Sequence, residues 1–359
     1  MTFISTKRLW GLFCSFLIIN LLLAQAPAGY YSSAYNTQGA QLKTALYRII
    51  SPHTRLDYMS LPSQFRYTDW HPDGYFWDMY SNVRQSTWSG LNREHSLPKS
   101  WFGVGTGNED NYDISVDLHN LFPSNPAANT AKSNYALGVV GSSVTYTNGV
   151  TKVGKNSFPG YTETVFEPAN EYKGDFARTY MYMVTCYEQY ASNWQSTGTS
   201  SMLQRNTYPV FNTYAVNLLM QWHRADPVST KEINRNNEVY RFQGNRNPFI
   251  DHPLLAEYIW GKFIGNIWDG TADLPETDEP LVSYYTKADN TITVELNKPA
   301  EATYKIFSLT GVLMKTGQVD ASGKILLTHE ASGQVFENGM YILTVYAGTY
   351  RKTVRFIVG

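Results

Sequence analysis

Two short polar clusters carry most of the chemistry that this sequence offers. The first is Arg93-Glu94-His95-Ser96-Leu97-Pro98, and the second is Asp117-Leu118-His119-Asn120-Leu121-Phe122-Pro123. A neutral histidine is a good base for activating water. Carboxylate and amide oxygens are ligands that Mg²⁺ accepts while it keeps several water molecules. These groups suit a site where water attacks a phosphodiester with the help of one general base and one metal ion.

Glu94 and His95 are adjacent, which limits how they can cooperate. Neighbouring residues of a regular strand point to opposite faces of the sheet. The pair can therefore serve one site only at a strand end, a bulge or a loop. Pro98 follows closely and indicates that the strand ends there.

The second cluster leads into a predicted helix. Residues 127–133 have helical propensity, and a short helix there would present Asn129 from its first turn. Taken alone, each Asn or His of the stretch 117–134 is best interpreted as a turn former or a satisfied polar group. Their joint occurrence favours a functional site. Glu94 would supply a carboxylate oxygen to the metal ion there, and an asparagine would supply an amide oxygen.

Composition indicates a globular chain. Its 359 residues are 43% hydrophobic and 16% charged, and aromatic residues reach 15% with 27 Tyr. Residues 27–280 carry more Asp and Glu than Lys and Arg, which argues against tight non-specific binding to a duplex but leaves room for a local basic groove. The spacing His-Glu-x-x-His is missing from the sequence, so a zinc protease has little support.

The N terminus has the layout of a secretory signal over residues 1–26. Lys7 and Arg8 precede an apolar run, and Ala24-Gln25-Ala26 offers small residues for cleavage. Cys14 would leave with the signal, so Cys186 would be alone and no intrachain disulfide could form. We expect Cys186 to be a buried structural thiol rather than a nucleophile.

The rest of the chain divides into three segments that differ in the spacing of their apolar residues. Residues 27–275 form one predicted mixed domain, with helical periodicity at 176–191, 208–222 and 253–264 and a possible helix cap at Asp175. Residues 276–282 form an acidic, proline-bracketed linker. Residues 283–359 alternate in polarity between glycine turns, which predicts a small β-sandwich.

The catalytic region resembles the endonuclease I family in several motifs that occur in the family's order over about 80–265. The matching stretches are Arg93-Glu94-His95…Pro98…Trp101-Phe102-Gly103, Asp117-Leu118-His119-Asn120-Leu121…Pro123…Asn129…Ser133-Asn134, Phe166-Glu167-Pro168…Lys173-Gly174-Asp175-Phe176-Ala177-Arg178, and Arg246-Asn247-Pro248-Phe249-Ile250-Asp251-His252-Pro253. The resemblance implies the α+β class, with a ββα-metal (His-Me finger) core embedded in a largely helical domain. It also implies a monomeric, Mg²⁺-dependent, sequence-nonspecific nuclease that cuts DNA, and often RNA, and leaves 5′-phosphates.

The resemblance also assigns roles to single residues. His95 is implied to be the general base, and Glu94 and Asn129 the Mg²⁺ ligands, with Mn²⁺ or Ca²⁺ able to replace Mg²⁺ in binding. The family also uses an arginine at the scissile phosphate, for which Arg178 is the first candidate and Arg93 the second; a structural ion pair is equally open for either.

The supporting residues and the cysteines complete the comparison. Asp117, His119 and Asn120 are expected to brace the site rather than to touch substrate. Unlike the periplasmic members that carry several cysteines, this chain could form no disulfide and would depend on packing alone.

The tail resembles the C-terminal sorting domain of the type IX secretion system of Bacteroidetes. The resemblance covers roughly 283–359 and rests on Lys305-Ile306-Phe307-Ser308-Leu309-Thr310-Gly311, on Asn338-Gly339-Met340-Tyr341-Ile342-Leu343 and on a basic last strand. It implies export through the periplasm to the cell surface or the medium. A tail that binds glycan or protein is the alternative, and a secreted aromatic-rich binding protein or adhesin is the alternative to an enzyme.

Overall fold

The chain forms two compact units, Met1–Asp273 and Leu274–Gly359. A computed structural model describes residues 26–104, 111–195, 202–270, 281–286, 291–295, 302–308, 312–319, 324–327, 336–347 and 350–358. The predicted secretory signal, apart from its last residue, and residues 276–280 of the predicted linker lie outside these ranges. Within them, no helix is both long enough and apolar enough to cross a membrane.

Eight α-helices belong to the first unit within the described ranges. They are α1 Gly39–Ile50, α2 Leu61–Thr68, α3 Pro126–Lys132, α4 Lys173–Cys186, α5 Thr213–Ala225, α6 Thr230–Gln243, α7 Pro248–Asp251 and α8 Leu255–Trp260. The helical periodicity located α4, α5 and α8, but their bounds differ from the prediction. For example, α5 begins only after Asn212, whose side chain accepts a hydrogen bond from the backbone N–H of Ala215 and caps the helix.

The cap predicted at Asp175 was wrong. Helix α4 already begins at Lys173, so Asp175 lies within its first turn. The carboxylate accepts a hydrogen bond from Lys231 Nζ at 2.6 Å instead of capping the backbone. Asp175 therefore ties α4 to α6.

Helix α4 is the centre of the first unit. Every residue from Gly174 to Cys186 is buried, as expected for a helix that packs against neighbours on all sides. Cys186 lies at its end as a free buried cysteine, and burial raises the pKa of its thiol well above the ordinary value. The predicted role of Cys186 as a buried thiol is thus supported by its position.

Over its described residues, the first unit has three small sheets. Their strands are β1 Trp70–His71, β2 Tyr75–Phe76, β3 Asn92–His95, β4 Leu121–Ser124, β5 Ala136–Leu137, β6 Val140–Thr147, β7 Lys152–Asn156 and β8 Thr164–Glu167. Strands β1 and β2 form one antiparallel pair, and β3 and β4 form another. The third sheet has the order β5-β8-β7-β6, in which β5 and β8 are parallel.

Strands β3 and β4 lead directly into α3. Glu94 pairs with Phe122 and His95 with Leu121 in this antiparallel ladder. Asn125 alone separates β4 from α3, and its side chain caps the helix by accepting from the N–H groups of Ala127 and Ala128. Two strands and one helix therefore surround the residues singled out by the sequence.

The second unit consists of strands in its described residues. They are β9 Leu281–Thr286, β10 Thr291–Glu295, β11 Ala302–Ser308, β12 Leu313–Val319, β13 Lys324–Leu326, β14 Gly339–Ala347 and β15 Tyr350–Val358. The sheets have the orders β13-β10-β9 and β12-β11-β14-β15. Buried residues from both sheets, among them Ile292 and Leu343, share one hydrophobic core. The mixture of helices and strands along the chain agrees with the predicted α+β class.

Candidate functional site

His95 is the last residue of β3, so the adjacent Glu94 and His95 do sit at a strand end. The ring nitrogen Nε2 lies 2.9 Å from the backbone carbonyl oxygen of Ser115. A carbonyl oxygen only accepts hydrogen bonds, so Nε2 carries the proton of the neutral ring. Nδ1 is then the basic nitrogen of His95, which is the state that a general base requires.

Aromatic side chains hold the His95 ring. Tyr58 stacks against it with centroids 6.5 Å apart and planes at 11°, and Phe102 meets it edge-on at 6.0 Å. The Arg93 guanidinium lies over the Tyr58 ring, 4.2 Å from its centroid, and donates a hydrogen bond to the Tyr58 backbone carbonyl. Arg93 and His95 are two residues apart on β3 and share its face. Arg93 and His95 thus both lie against the Tyr58 ring, and Arg93 is half-buried.

Glu94 is paired with a lysine that the sequence analysis did not identify. Lys132, the last residue of α3, donates from Nζ to Glu94 Oε1 at 2.7 Å and to the backbone oxygen of His95 at 3.1 Å. Glu94 is 7% exposed and Lys132 is 0% exposed. Burial raises the pKa of the Glu94 carboxyl, and the Lys132 ammonium opposes that rise. Lys132 therefore joins α3 to both candidate residues of β3.

Asn129 lies on the same helix, three residues before Lys132. Residues three apart share one face of a helix, so Asn129 is on the face that α3 turns toward Glu94. Its side chain is half-buried. The predicted short helix is therefore present, and it carries Asn129 in the second half of its first turn.

The donor set fits one hard cation. Among the described residues, no group of three or more His, Cys, Asp and Glu side chains could hold a metal ion. A carboxylate oxygen of Glu94 and the amide oxygen of Asn129, completed by water, are nevertheless a donor set that Mg²⁺ accepts. The same set lacks the nitrogen and sulfur ligands that Zn²⁺ favours.

Asn120 fixes the chain immediately after His95. Its Oδ1 accepts from the N–H of Leu97 at 2.7 Å, and its Nδ2 donates to the carbonyl of the same residue at 3.1 Å. The N–H of Ser96 donates to the Asn120 carbonyl at 2.9 Å. These three bonds connect the two polar clusters and determine where the backbone leaves β3.

Asp117 collects hydrogen bonds in the interior. Its carboxylate accepts from the hydroxyls of Tyr182 and Tyr187 at 2.7 and 2.6 Å and from Gln243 Nε2 at 2.9 Å. Burial alone would raise the pKa of Asp117, but His119, His53 and these donors hold it below the ordinary value. Asp117 thus binds side chains of the core, and it also accepts a hydrogen bond from the backbone N–H of His119.

His119 belongs to the same buried network. Burial lowers the pKa of its imidazole to about 4, and the positive charge of Arg235 acts in the same direction against the opposing effect of Asp117. The ring stacks obliquely on Tyr182 with centroids 4.4 Å apart. The imidazole is enclosed by the protein, and its bracing role stays a prediction.

The position of Arg178 does not match the predicted contact with a phosphate. The side chain is 0% exposed, and its Nε and Nη2 donate to the two carboxylate oxygens of Glu232 at 2.6 and 2.8 Å. A third bond goes to the backbone oxygen of Asp226. Arg178 therefore joins α4 to α6 by a bidentate ion pair, and its guanidinium has no surface to offer a substrate.

Two side chains of α6 support the site without any local signal in the sequence. Arg235 binds Asp69 through Nε at 2.8 Å and the carbonyl oxygens of Leu118 and Leu121 at 2.7 and 2.8 Å. Gln243 bonds the N–H of Leu118 and the carboxylate of Asp117. These contacts span more than a hundred residues of sequence, so spacing could not predict them. Lys132, by contrast, was recognisable from its spacing to Asn129.

Comparison with known proteins identifies the family. The model of the Endonuclease I family matches residues 38–254. The chain is 32% identical over 240 residues to an extracellular ribonuclease of Bacillus amyloliquefaciens, covering 64% of this chain and 78% of that protein. It is also 32% identical over 257 residues to an extracellular ribonuclease of Bacillus subtilis (strain 168), covering 67% and 84%. A third relative is the Endonuclease-1 of Buchnera aphidicola subsp. Acyrthosiphon pisum (strain APS), 26% identical over 138 residues, 38% of this chain and 45% of that protein.

The family match covers β3, β4 and α3 together with the residues that surround them. It covers more than half of the chain. The protein belongs to the Endonuclease I family and is a nuclease that hydrolyses phosphodiester bonds.

Proposed function

We propose that this protein is a secreted, Mg²⁺-dependent, sequence-nonspecific endonuclease that cuts RNA and DNA and leaves 5′-phosphates. The observation that carries the proposal is the hydrogen bond from His95 Nε2 to the Ser115 carbonyl, because it sets the imidazole in the tautomer of a base beside Glu94 and α3. Two relatives at 32% identity are named extracellular ribonucleases, which supports secretion and RNA as a substrate.

His95 acts on the attacking water. Its Nδ1 accepts a proton from water as the oxygen attacks phosphorus, and the bond to the 3′-oxygen breaks. The 3′-oxygen leaves and takes up a proton from solvent water to become the 3′-hydroxyl. The resulting imidazolium keeps its Nε2 hydrogen bond to Ser115, so the ring does not have to turn during the step. Stacking on Tyr58 stabilises the same orientation.

Glu94 and Asn129 are the proposed ligands of the metal ion. Bound there, Mg²⁺ would supply positive charge to the phosphate and the leaving oxygen. Burial raises the pKa of Glu94, and the Lys132 ammonium opposes that rise and so favours the ionised carboxylate, which is the form that binds a metal ion. The β3–β4–α3 arrangement is the element that we assign to the ββα-metal core.

Arg93 is the arginine that we assign to the scissile phosphate. It shares a strand face with His95 and is half-buried, whereas Arg178 is enclosed in its pair with Glu232. A planar guanidinium binds two phosphate oxygens at once, which a lysine does not.

We further propose that the second unit directs the protein through the type IX secretion machinery. The seven described strands and their shared core support a β-sandwich, and the sequence motifs of the tail support sorting. The enzyme would then act as a monomer at the cell surface or in the medium.

The decisive experiment compares the protein with its His95→Ala variant on plasmid DNA and on RNA, with EDTA and with Mg²⁺ restored. We expect loss of cleavage in the variant and in EDTA, and recovery of the unchanged protein with Mg²⁺. His53→Ala, at a histidine that packs against Tyr187, is the control and should stay active. Full activity of His95→Ala would refute the assignment.

A further inference from the structure

A cavity lies beside the proposed catalytic elements. It has a volume of about 350 Å³, and its lining includes His71, Tyr75, Trp77, Asp78, Arg84 and Tyr172. Most of these side chains come from the β1–β2 hairpin and the loop that follows it. The mechanism described above uses none of them.

The wall of this cavity is a continuous group of aromatic rings. His71 stacks on Tyr75 with centroids 4.3 Å apart and planes at 11°, and it meets Trp77 at 4.6 Å. Trp77 Nε1 donates to the Tyr172 hydroxyl at 3.1 Å, which fixes both rings. His71, Tyr75 and Trp77 are half-buried, so each ring keeps some surface toward solvent. Fixed, partly exposed rings are the platform on which unpaired bases stack.

Two cations accompany the rings. The Arg84 guanidinium is exposed and lies 4.9 Å from the Tyr75 centroid. Lys231 Nζ lies 5.0 Å from the Tyr172 ring and 5.7 Å from the Trp77 ring, and is held by Asp175. A planar guanidinium extends a stacking surface and attracts the backbone of a nucleic acid, although it carries no sequence preference.

The floor of the cavity is joined to the proposed catalytic helix. Asp78 Oδ2 accepts from the N–H of Asn125, the residue that caps α3, at 3.0 Å. At 1.5 Å per residue, Asn129 is about 6 Å further along the helix axis. A chain of a few nucleotides can therefore reach from the cavity to the proposed metal ligands.

We propose that this cavity binds one unpaired nucleobase of the substrate strand, so that the enzyme favours single-stranded over duplex nucleic acid. The inference rests on the proposed nuclease function and adds the substrate class. The cavity has room for a single base, whereas the bases of a duplex are already stacked on one another and present only their edges in the grooves. Glu171 also lines the cavity, is exposed, and offers a carboxylate to the amino groups of a base.

Binding without cleavage tests the proposal. The affinity of the full chain for a fluorescein-labelled single-stranded oligonucleotide and for the matching duplex is measured by anisotropy in EDTA. We expect Tyr75→Ala to raise the single-strand Kd about tenfold and to leave the duplex Kd unchanged, since stacking on one aromatic side chain contributes about that much per base. Tyr75→Phe keeps the ring and should bind as the unchanged protein does.

Arg84 provides a second variant at an exposed position that folding tolerates. Arg84→Lys keeps the positive charge but removes the planar guanidinium. A several-fold loss of affinity for the single strand in this variant therefore supports stacking of a base on that group. Tyr67→Ala, at an aromatic residue that is 60% exposed on α2, is the control and should leave both affinities unchanged.

Equal effects of Tyr75→Ala on single strand and duplex, or none on either, would overturn the base subsite. The proposed function fails by a different result, which is the absence of Mg²⁺-dependent cleavage by the unchanged protein. The two failures are distinguishable because the affinities are measured without metal.

Discussion

The ammonium of Lys132 donates to the carboxylate of Glu94 at 2.7 Å, and both side chains are enclosed by the protein. One cation thus balances the charge of a proposed metal ligand and at the same time holds the backbone oxygen of His95. The pair couples the last turn of α3 to the end of β3. It adds a side-chain contact to the β3–β4 ladder and the short β4–α3 connection, which also join these elements.

Replacing Lys132 by methionine should destabilise the protein and weaken metal binding together. Removing one partner of a buried ion pair leaves an uncompensated charge and costs about 3–5 kcal/mol. Without the ammonium, the pKa of Glu94 rises further, so Mg²⁺ should be bound only at higher pH than before. Urea unfolding in EDTA and Mg²⁺ titrations of activity across pH measure the two effects. Lys132→Arg keeps the positive charge, so its loss of stability and of Mg²⁺ binding should be smaller. Unchanged stability of Lys132→Met would contradict the role of Lys132 as the buried partner of Glu94.

Arg93→Ala should reduce kcat/KM while the fold remains intact. Loss of a donor to a developing phosphate charge costs about a hundredfold to a thousandfold in rate. Arg93 also lies on Tyr58, so Arg93→Lys, which keeps the charge, should recover part of the activity. Arg66→Ala is a matched control because Arg66 is exposed and lies over the Trp70 ring in the same manner. If the two alanine variants cleave equally well, Arg93 has no role at the phosphate.

How far the sequence predicts the site depends on the range of the contacts. Glu94, His95 and Asn129 belong to one short unit of strand, strand and helix, so local spacing and motif order located them on elements that the structure joins. The sequence did not reveal the position of Arg178, because the residues of its motif do not indicate that its side chain is buried. Its partner Glu232 is 54 residues away, and only packing of α4 against α6 shows that the pair is internal.

The same reasoning applies to the support of the second cluster. Arg235 and Gln243 reach Leu118 and Asp117 across the fold, and neither is in a recognisable motif. The sequence analysis predicted no helix over 230–243, and even where periodicity reveals a buried face it does not tell which loop that face holds. Element bounds were also approximate, since caps such as Asn212 decide where a helix begins.

Arg178→Met should lower stability rather than catalysis. The bidentate bond to Glu232 is buried, so loss of the guanidinium leaves a carboxylate without its partner and costs about 3–5 kcal/mol. The double variant Arg178→Met/Glu232→Met removes both charges and should recover much of the loss. Urea unfolding of Arg178→Met, Glu232→Met and the double variant measures this coupling. A folded Arg178→Met enzyme with normal stability and a hundredfold lower kcat would restore the phosphate role.

Acid should destabilise the protein between about pH 6.5 and pH 4. His119 has its pKa lowered from 6.5 to about 4, so the unfolded chain takes up a proton first as the pH falls through this window. The free energy of unfolding then falls by about 3 kcal/mol for this group. His119→Gln removes the titration, so its unfolding free energy should depend less steeply on pH. The pKa of His223 is also lowered to about 4 by burial, so His223→Gln should have a similar effect. A pH slope equal to that of the unchanged protein in both His119→Gln and His223→Gln would disprove the linkage.

Removal of the second unit should leave the nuclease reaction intact. A chain ending at residue 275 keeps the helices and sheets of the first unit, whose hydrophobic core is built from that unit's own residues. The tail has a core of its own, centred on residues such as Ile306 and Val345. We expect residues 27–275 to cleave RNA and plasmid with the kcat/KM of residues 27–359. For the export test both chains carry residues 1–26 as well, and in a host with type IX secretion only the chain that ends at residue 359 should reach the medium or cell surface. Export of both chains in equal amounts would show that the tail has no sorting role, and a folded but inactive 27–275 would show that catalysis needs it.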